Sequence, residues 1–205
     1  MNVVIDRTGI ARRGRLLQYV TVTWNSGEFL VVVAAGVASG SIALVGFGFD
    51  SAIEVLSSLA ALWRLGRDGD HAARERADRR ALRVISACFM LLAAYVVWNA
   101  SASLLSRQSP DVSVMGIVLA ALSLIVMPLL VRFKRRVARA LVSDALAAES
   151  RQTEICAYLS AILLVGLGLN AWLGRWWADP AAALVMAPII AREGWAVLPG
   201  DPCCD

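Results

Sequence analysis

The stretch Gly40-Ser-Ile-Ala-Leu-Val-Gly-Phe-Gly-Phe-Asp50-Ser-Ala-Ile-Glu54-Val-Leu-Ser-Ser58 decides how the chain is read. It is apolar enough to lie in lipid, yet it carries two carboxyls at i and i+4. On a helix that spacing puts Asp50 and Glu54 on one face, one turn apart. Ser57 and Ser58 extend the face, and no basic residue lies nearby in the span. A carboxylate inside a bilayer is costly unless it faces a cavity or a partner. Two like charges this close at low dielectric do not both stay ionised unless a cation sits between them. Three arrangements satisfy them: a bound metal, shared protons, or a salt bridge to another helix, with Arg64 and Arg192 as candidate partners.

Working outward from that helix, the rest of the chain has the same character. Hydrophobic residues make up 59% of the 205 and charged residues 18%, with a mean hydropathy of +0.65. Soluble domains hold about 45–50% apolar and about 25% charged residues. The charges cluster in short stretches between long apolar runs, and a run of about 20 apolar residues crosses the hydrocarbon layer as a helix. The expected fold is all-α: a polytopic membrane protein of six transmembrane helices and no soluble domain. The spans read Leu16 to Val37, Ser41 to Leu65, Ala81 to Leu105, Val112 to Val131, Ala145 to Leu173, and Asp179 to Val197. The first turn is very short, Ala38-Ser39-Gly40. Ser109-Pro110 breaks the chain before the fourth span, and Pro180 suits a first helical position. The division expected is 1-15 as an N-terminal segment, 16-198 as the six-helix domain, and 199-205 as a short tail. Met1 to Gln18 is polar and arginine-rich, unlike a signal peptide.

Basic residues set the orientation. Arg7, Arg12, Arg13 and Arg15 precede the first span; seven arginines, Arg64 to Arg83, surround the second connection; Arg132, Lys134, Arg135, Arg136 and Arg139 follow the fourth span. The alternate loops carry only Arg107 and Arg175. Positive loops stay cytoplasmic, so both termini are expected inside the cell membrane, and the basic residues are read as topology, with no nucleic-acid partner. Trp176, Trp177 and Trp195 are expected to anchor at interfaces. The segment Asp68 to Asp78, with the only histidine, His71, reads as a solvated helical linker. Cys88 and Cys156 lie in apolar runs, Cys203 and Cys204 at the C-terminus, and no disulfide framework is indicated.

Other polar residues fall where lipid is expected. Glu28 lies mid-way along the first span, one turn after Asn25; it lines the same cavity as the acidic pair, or packs, or relays protons. At the start of the fifth span, Glu149, Gln152, Thr153 and Cys156 share one helical face. Gln152 and Cys156 repeat the i, i+4 spacing and meet the acidic pair at similar depth. Carboxylate oxygens with a cysteine sulfur suit a borderline-soft divalent ion such as zinc, although Cys156 alone reads as a packing residue.

The stretch Gly40–Ser58 is similar to the second helix of the cation diffusion facilitators, and Ala178-Asp-Pro-Ala-Ala-Ala-Leu with Glu193-Gly194 is similar to their sixth. The resemblance covers roughly Tyr19 to Leu198. It implies a proton-coupled exporter of Zn2+ or of Co2+, Cd2+, Fe2+ or Mn2+, with an Asp-x-x-x-Asp pair binding the ion on the second helix. It implies ligands on the fifth helix too, where the family usually carries His-x-x-x-Asp; aligned back from Asp179-Pro180, Gln152 and Cys156 stand there. Most members carry a further cytoplasmic domain; this chain resembles the short, transmembrane-only branch of transmembrane protein 163-type zinc transporters. A homodimer through the membrane helices is then expected.

The site expected is Asp50, Glu54, Gln152 and Cys156, with Glu28 and Glu149 as accessories, working by alternating access: the ion enters from the cytoplasm, and protons from outside compete for the carboxylates and release it. The metal is substrate, and no organic cofactor is expected. The rival is a non-transporting metal-binding scaffold or sensor, favoured by glutamine in place of histidine. An enzyme has no support, since no serine–histidine or histidine-rich constellation is present.

Overall fold

A computed structural model of the chain describes residues 7–65, 71–107, 110–141 and 144–197. The side chains of residues 64–82, including Arg64 and His71, lie outside the described part, as do Ser109 and the tail with Cys203, Cys204 and Asp205. The described residues form six helices: α1 (Arg7–Ser39), α2 (Ile42–Leu65), α3 (His71–Ser106), α4 (Val114–Leu141), α5 (Asp144–Leu173) and α6 (Ala178–Val197). No strand occurs among them. Five helices, α1 to α5, are long and apolar enough to cross a membrane. The sixth spans 20 residues and carries Asp179 near its start and Arg192 and Glu193 near its end.

Helix limits differ from the sequence reading in a consistent way. Helix α1 begins at Arg7, nine residues before the expected span, and α4 continues through the basic segment to Leu141. The apolar run marks only the part that lipid can cover. Arginine and lysine stems allow the helix to continue into the polar layer, where hydropathy no longer reports it. The 15/16 division therefore falls inside a helix.

Contacts at opposite ends fix the packing as antiparallel. At one end, the Asn170 side chain of α5 donates to the Pro110 carbonyl at 3.1 Å, and the Asp111 amide donates to the Ser39 carbonyl at 2.8 Å. At the other, Ser86 of α3 donates to the Gly194 carbonyl of α6 at 2.6 Å. Helices α1, α2, α5 and α4 form a closed ring of neighbours, and α3 and α6 pair and lean on α2 and α5. The α1–α2 turn is tight because Gly40 takes a φ of +70°, a left-handed conformation that costs glycine little.

The ring and the pair differ in chemistry. Buried polar side chains line the ring: Gln18, Thr21, Asn25 and Glu28 on α1; Asp50, Ser51, Glu54, Ser57 and Ser58 on α2; Ser123 and Lys134 on α4; Glu149, Gln152, Thr153 and Ser160 on α5. The α3–α6 contact is mainly apolar, built on Phe89, Ala183, Met186 and Ile190. Close approach stands in for bulk where α5 meets α6: a Cβ on Gly166 would lie 2.5 Å from that of Ala182. Small residues serve this role between membrane helices because lipid tails offer no hydrophobic drive to associate. Outward-facing side chains are large and apolar, among them Trp98, Leu91, Ile125 and Val165. Trp177 and Trp195 are exposed, Trp176 is half-buried, and Trp172 is more exposed still at 92%.

Candidate metal site and its ion-pair network

Asp50 and Glu54 are buried within the ring, at 5% and 2% exposure. Helix α2 carries them there because its other faces are apolar and turned to α1, α3 and lipid. Cys156, on the facing helix α5, is buried beside both carboxyls. Gln152, one turn before Cys156, is also buried, and its amide nitrogen has no partner. The Oε2 of Glu54 is buried and unpartnered as well. A buried polar atom without a partner is costly; the Glu54 oxygen can still accept a proton or a cation, whereas the Gln152 nitrogen can only donate. As they stand, no three His, Cys, Asp or Glu side chains among the described residues are grouped closely enough to hold an ion.

The other oxygen of Glu54 is engaged. Thr153 Oγ1 donates to Glu54 Oε1 at 2.7 Å and accepts from Lys134 Nζ at 2.9 Å. Lys134 donates to Glu149 Oε1 at 2.7 Å, and its ammonium lies 3.7 Å from Glu54 Oε1. Glu149 receives further bonds from Ser58, at 3.2 Å, and from the Gln18 amide. One ammonium thus ties α4 to α5 and, through Thr153 and Glu149, to α2 and α1. Lys134 lies far along α4, but a helical Cα–Cβ bond tilts toward the helix N-terminus, and that direction sends its stem into the ring.

Among the described residues the salt bridge to Glu54 comes from a residue that was not a candidate in the sequence reading. Arg192 is exposed, and Arg64 lies outside the described side chains. The bridge comes from Lys134, whose place in a basic segment reads as topology. One sequence signal could have singled it out: it is the only lysine, every other basic residue besides His71 being arginine. Gln18 and Thr21 were missed too, although Gln18, Thr21, Asn25 and Glu28 follow a helical spacing of three and four. Glu149 is taken up by Lys134, Ser58 and Gln18. By contrast, Arg135 and Glu154 form an ion pair at the outer faces of α4 and α5, both partly exposed, where such pairs contribute little.

Glu28 lies above this network. It accepts from Ser51 at 2.9 Å, with Trp24 and Ser123 beside it; its Oε1, the Trp24 Nε1 and the Ser123 Oγ remain unpartnered. Among the described residues of the ring, four buried carboxyls (Glu28, Asp50, Glu54, Glu149) face one buried cation, Lys134. An interior with that imbalance demands additional positive charge, as metal or as protons.

The cation efflux transmembrane domain, as a family profile, matches residues 19–198. The chain belongs to the cation efflux family. The match runs from the first ring helix to the end of α6, so the short, charge-bearing α6 belongs to the domain that spans the membrane. Members of this family carry metal cations across membranes as substrates. No curated protein matches the chain. Within this domain the acidic pair on α2 is buried, with Cys156 and Gln152 buried on the facing helix α5.

Proposed function

We propose that this member exports a divalent metal ion, Zn2+ foremost, from the cytoplasm by proton-coupled alternating access. The reading rests on the buried excess of carboxyls around Asp50 and Glu54, with Cys156 against both. Asp50, Glu54 and Cys156 bind the ion, and Gln152 completes the shell through its amide oxygen after a side-chain turn. Glu149 stays with Lys134, and Glu28 serves as a neighbouring carboxyl. Oxygen ligands with one sulfur favour zinc over magnesium or calcium. Metal ligands must be deprotonated, so ion and protons displace one another. The protein sits in the cell membrane with both termini cytoplasmic and pairs through its membrane helices.

Asp50→Ala in reconstituted vesicles tests the assignment. Zinc flux is expected to fall by about tenfold or more, the scale of losing one buried charged ligand; unchanged flux sinks it. The rival reading, a metal-binding scaffold, draws on one observation: Glu54 is already half engaged by Thr153 and Lys134. Stoichiometric zinc binding without flux would establish that rival.

A further inference from the structure

We propose that Lys134 is a tethered cation that plugs the basic end of the helix ring: its ammonium, held on Glu149 and Thr153 beside Glu54, closes the way to the acidic pair and must withdraw before an ion passes. The inference rests on the metal reading above for what passes, and on geometry for the plug. A small crevice between α1, α4 and α5 is lined by Gly14, Leu17, Val137 and Leu146 and, one turn further into the ring, by Gln18, Lys134 and Glu149. Beyond that point lie Thr153, Glu54 and then Cys156. All are buried, Lys134 itself at 3% exposure. The ammonium touches both α5 ligands of its shell and approaches Glu54 to 3.7 Å, so it lies against the carboxyl oxygen a metal would approach from that end.

The choice of residue fits the task. Lysine is a compact charge on a flexible four-carbon stem, whereas arginine is a rigid fork that holds carboxylates in pairs. The chain uses arginine everywhere except here. Withdrawal of Lys134 removes the positive charge facing Glu54 Oε1, which keeps its bond from Thr153, and leaves the unpartnered Oε2 open to an incoming ion.

The test uses thiol labelling of Cys156, with purified full chain in nanodiscs, Cys156 as sole cysteine and a water-soluble cationic methanethiosulfonate, without metal. Lys134→Gln leaves Glu54 and Glu149 facing each other, so Lys134→Gln/Glu149→Gln serves as the charge-balanced variant. Labelling is expected to be at least about tenfold faster in the balanced variant, the scale on which a buried ion pair biases an equilibrium. A parallel chain with Cys88 as sole cysteine, on α3 outside the network, is expected to label at its unchanged rate. Equal Cys156 rates with and without Lys134, or equal acceleration of Cys88, overturns the plug. Added Zn2+ separates the two readings: protection of Cys156 is expected at lower zinc concentration in the balanced variant. Zinc that protects in no variant, with Cys156 labelling still accelerated, removes the metal assignment and leaves the plug standing.

Discussion

At the scale of single residues, charge placement dominates. Lys134 neutralises part of a buried carboxyl cluster and is the one buried cation among the described residues. Removing one partner of a buried pair costs about 3–5 kcal/mol, because the other charge stays buried and unmatched. Lys134→Ala is therefore expected to lower the thermal unfolding midpoint of the purified protein sharply, and Lys134→Ala/Glu149→Ala less so; equal losses would show that the pair is not coupled. Asp50 and Glu54 were legible in the sequence because a carboxyl in an apolar run has few explanations. Cys156 was legible only by its helical register, since a buried cysteine is ordinary. Lys134 was not, because a lysine among arginines after an apolar run carries the same topological message as its neighbours; only the direction of its stem distinguishes it, and that is a property of the folded helix.

At the scale of elements, ends matter more than middles. The middles of all six helices follow from apolar run length, and those helices are where the sequence places them. Their ends do not follow, as α1 and α4 show, because a helix leaving lipid keeps its backbone bonds while its side chains turn polar. The start of α2 is the most tightly specified end. Ser41 caps it by accepting from the Leu44 amide at 3.1 Å, and Asp179, from the start of α6, accepts from the Ser41 hydroxyl and from the Ile42 amide at 3.0 Å. A carboxylate at a helix N-terminus also meets the positive end of the helix dipole. Asp179→Ala is expected to cost about 1–2 kcal/mol, read as a lower unfolding midpoint, with zinc binding by the α2 pair retained. Loss of binding at unchanged stability would place Asp179 in the site instead. From sequence, Asp179 reads as the start of the sixth span and part of the stretch that carries the family resemblance; its partner lies 137 positions away, a distance no local pattern reports.

At the scale of the whole molecule, the polar ring and the apolar pair divide the labour. The ring holds every buried carboxyl of the candidate site, and α3 and α6 brace it from one side. If ion and protons exchange on the same carboxyls, acid on the release side should speed the cycle. Zinc flux toward the acidic side of a vesicle is expected to exceed that at equal pH by several-fold, and a protonophore should abolish the excess. Flux indifferent to the gradient would separate the transport reading from its proton coupling.

The Asp179 clasp also sets a mechanical condition. Helix α2 has its first turn fastened to α6 and, across the tight glycine turn, to α1. Toward its far end, Ser58 and Glu54 join it to α5 through side chains. The helix is then a lever with its pivot at one face of the membrane. With 24 residues at about 1.5 Å each, it is about 36 Å long. A tilt of roughly ten degrees about that pivot carries the far end through about 6 Å, a stroke wider than a bare metal ion, while the clasp itself barely moves.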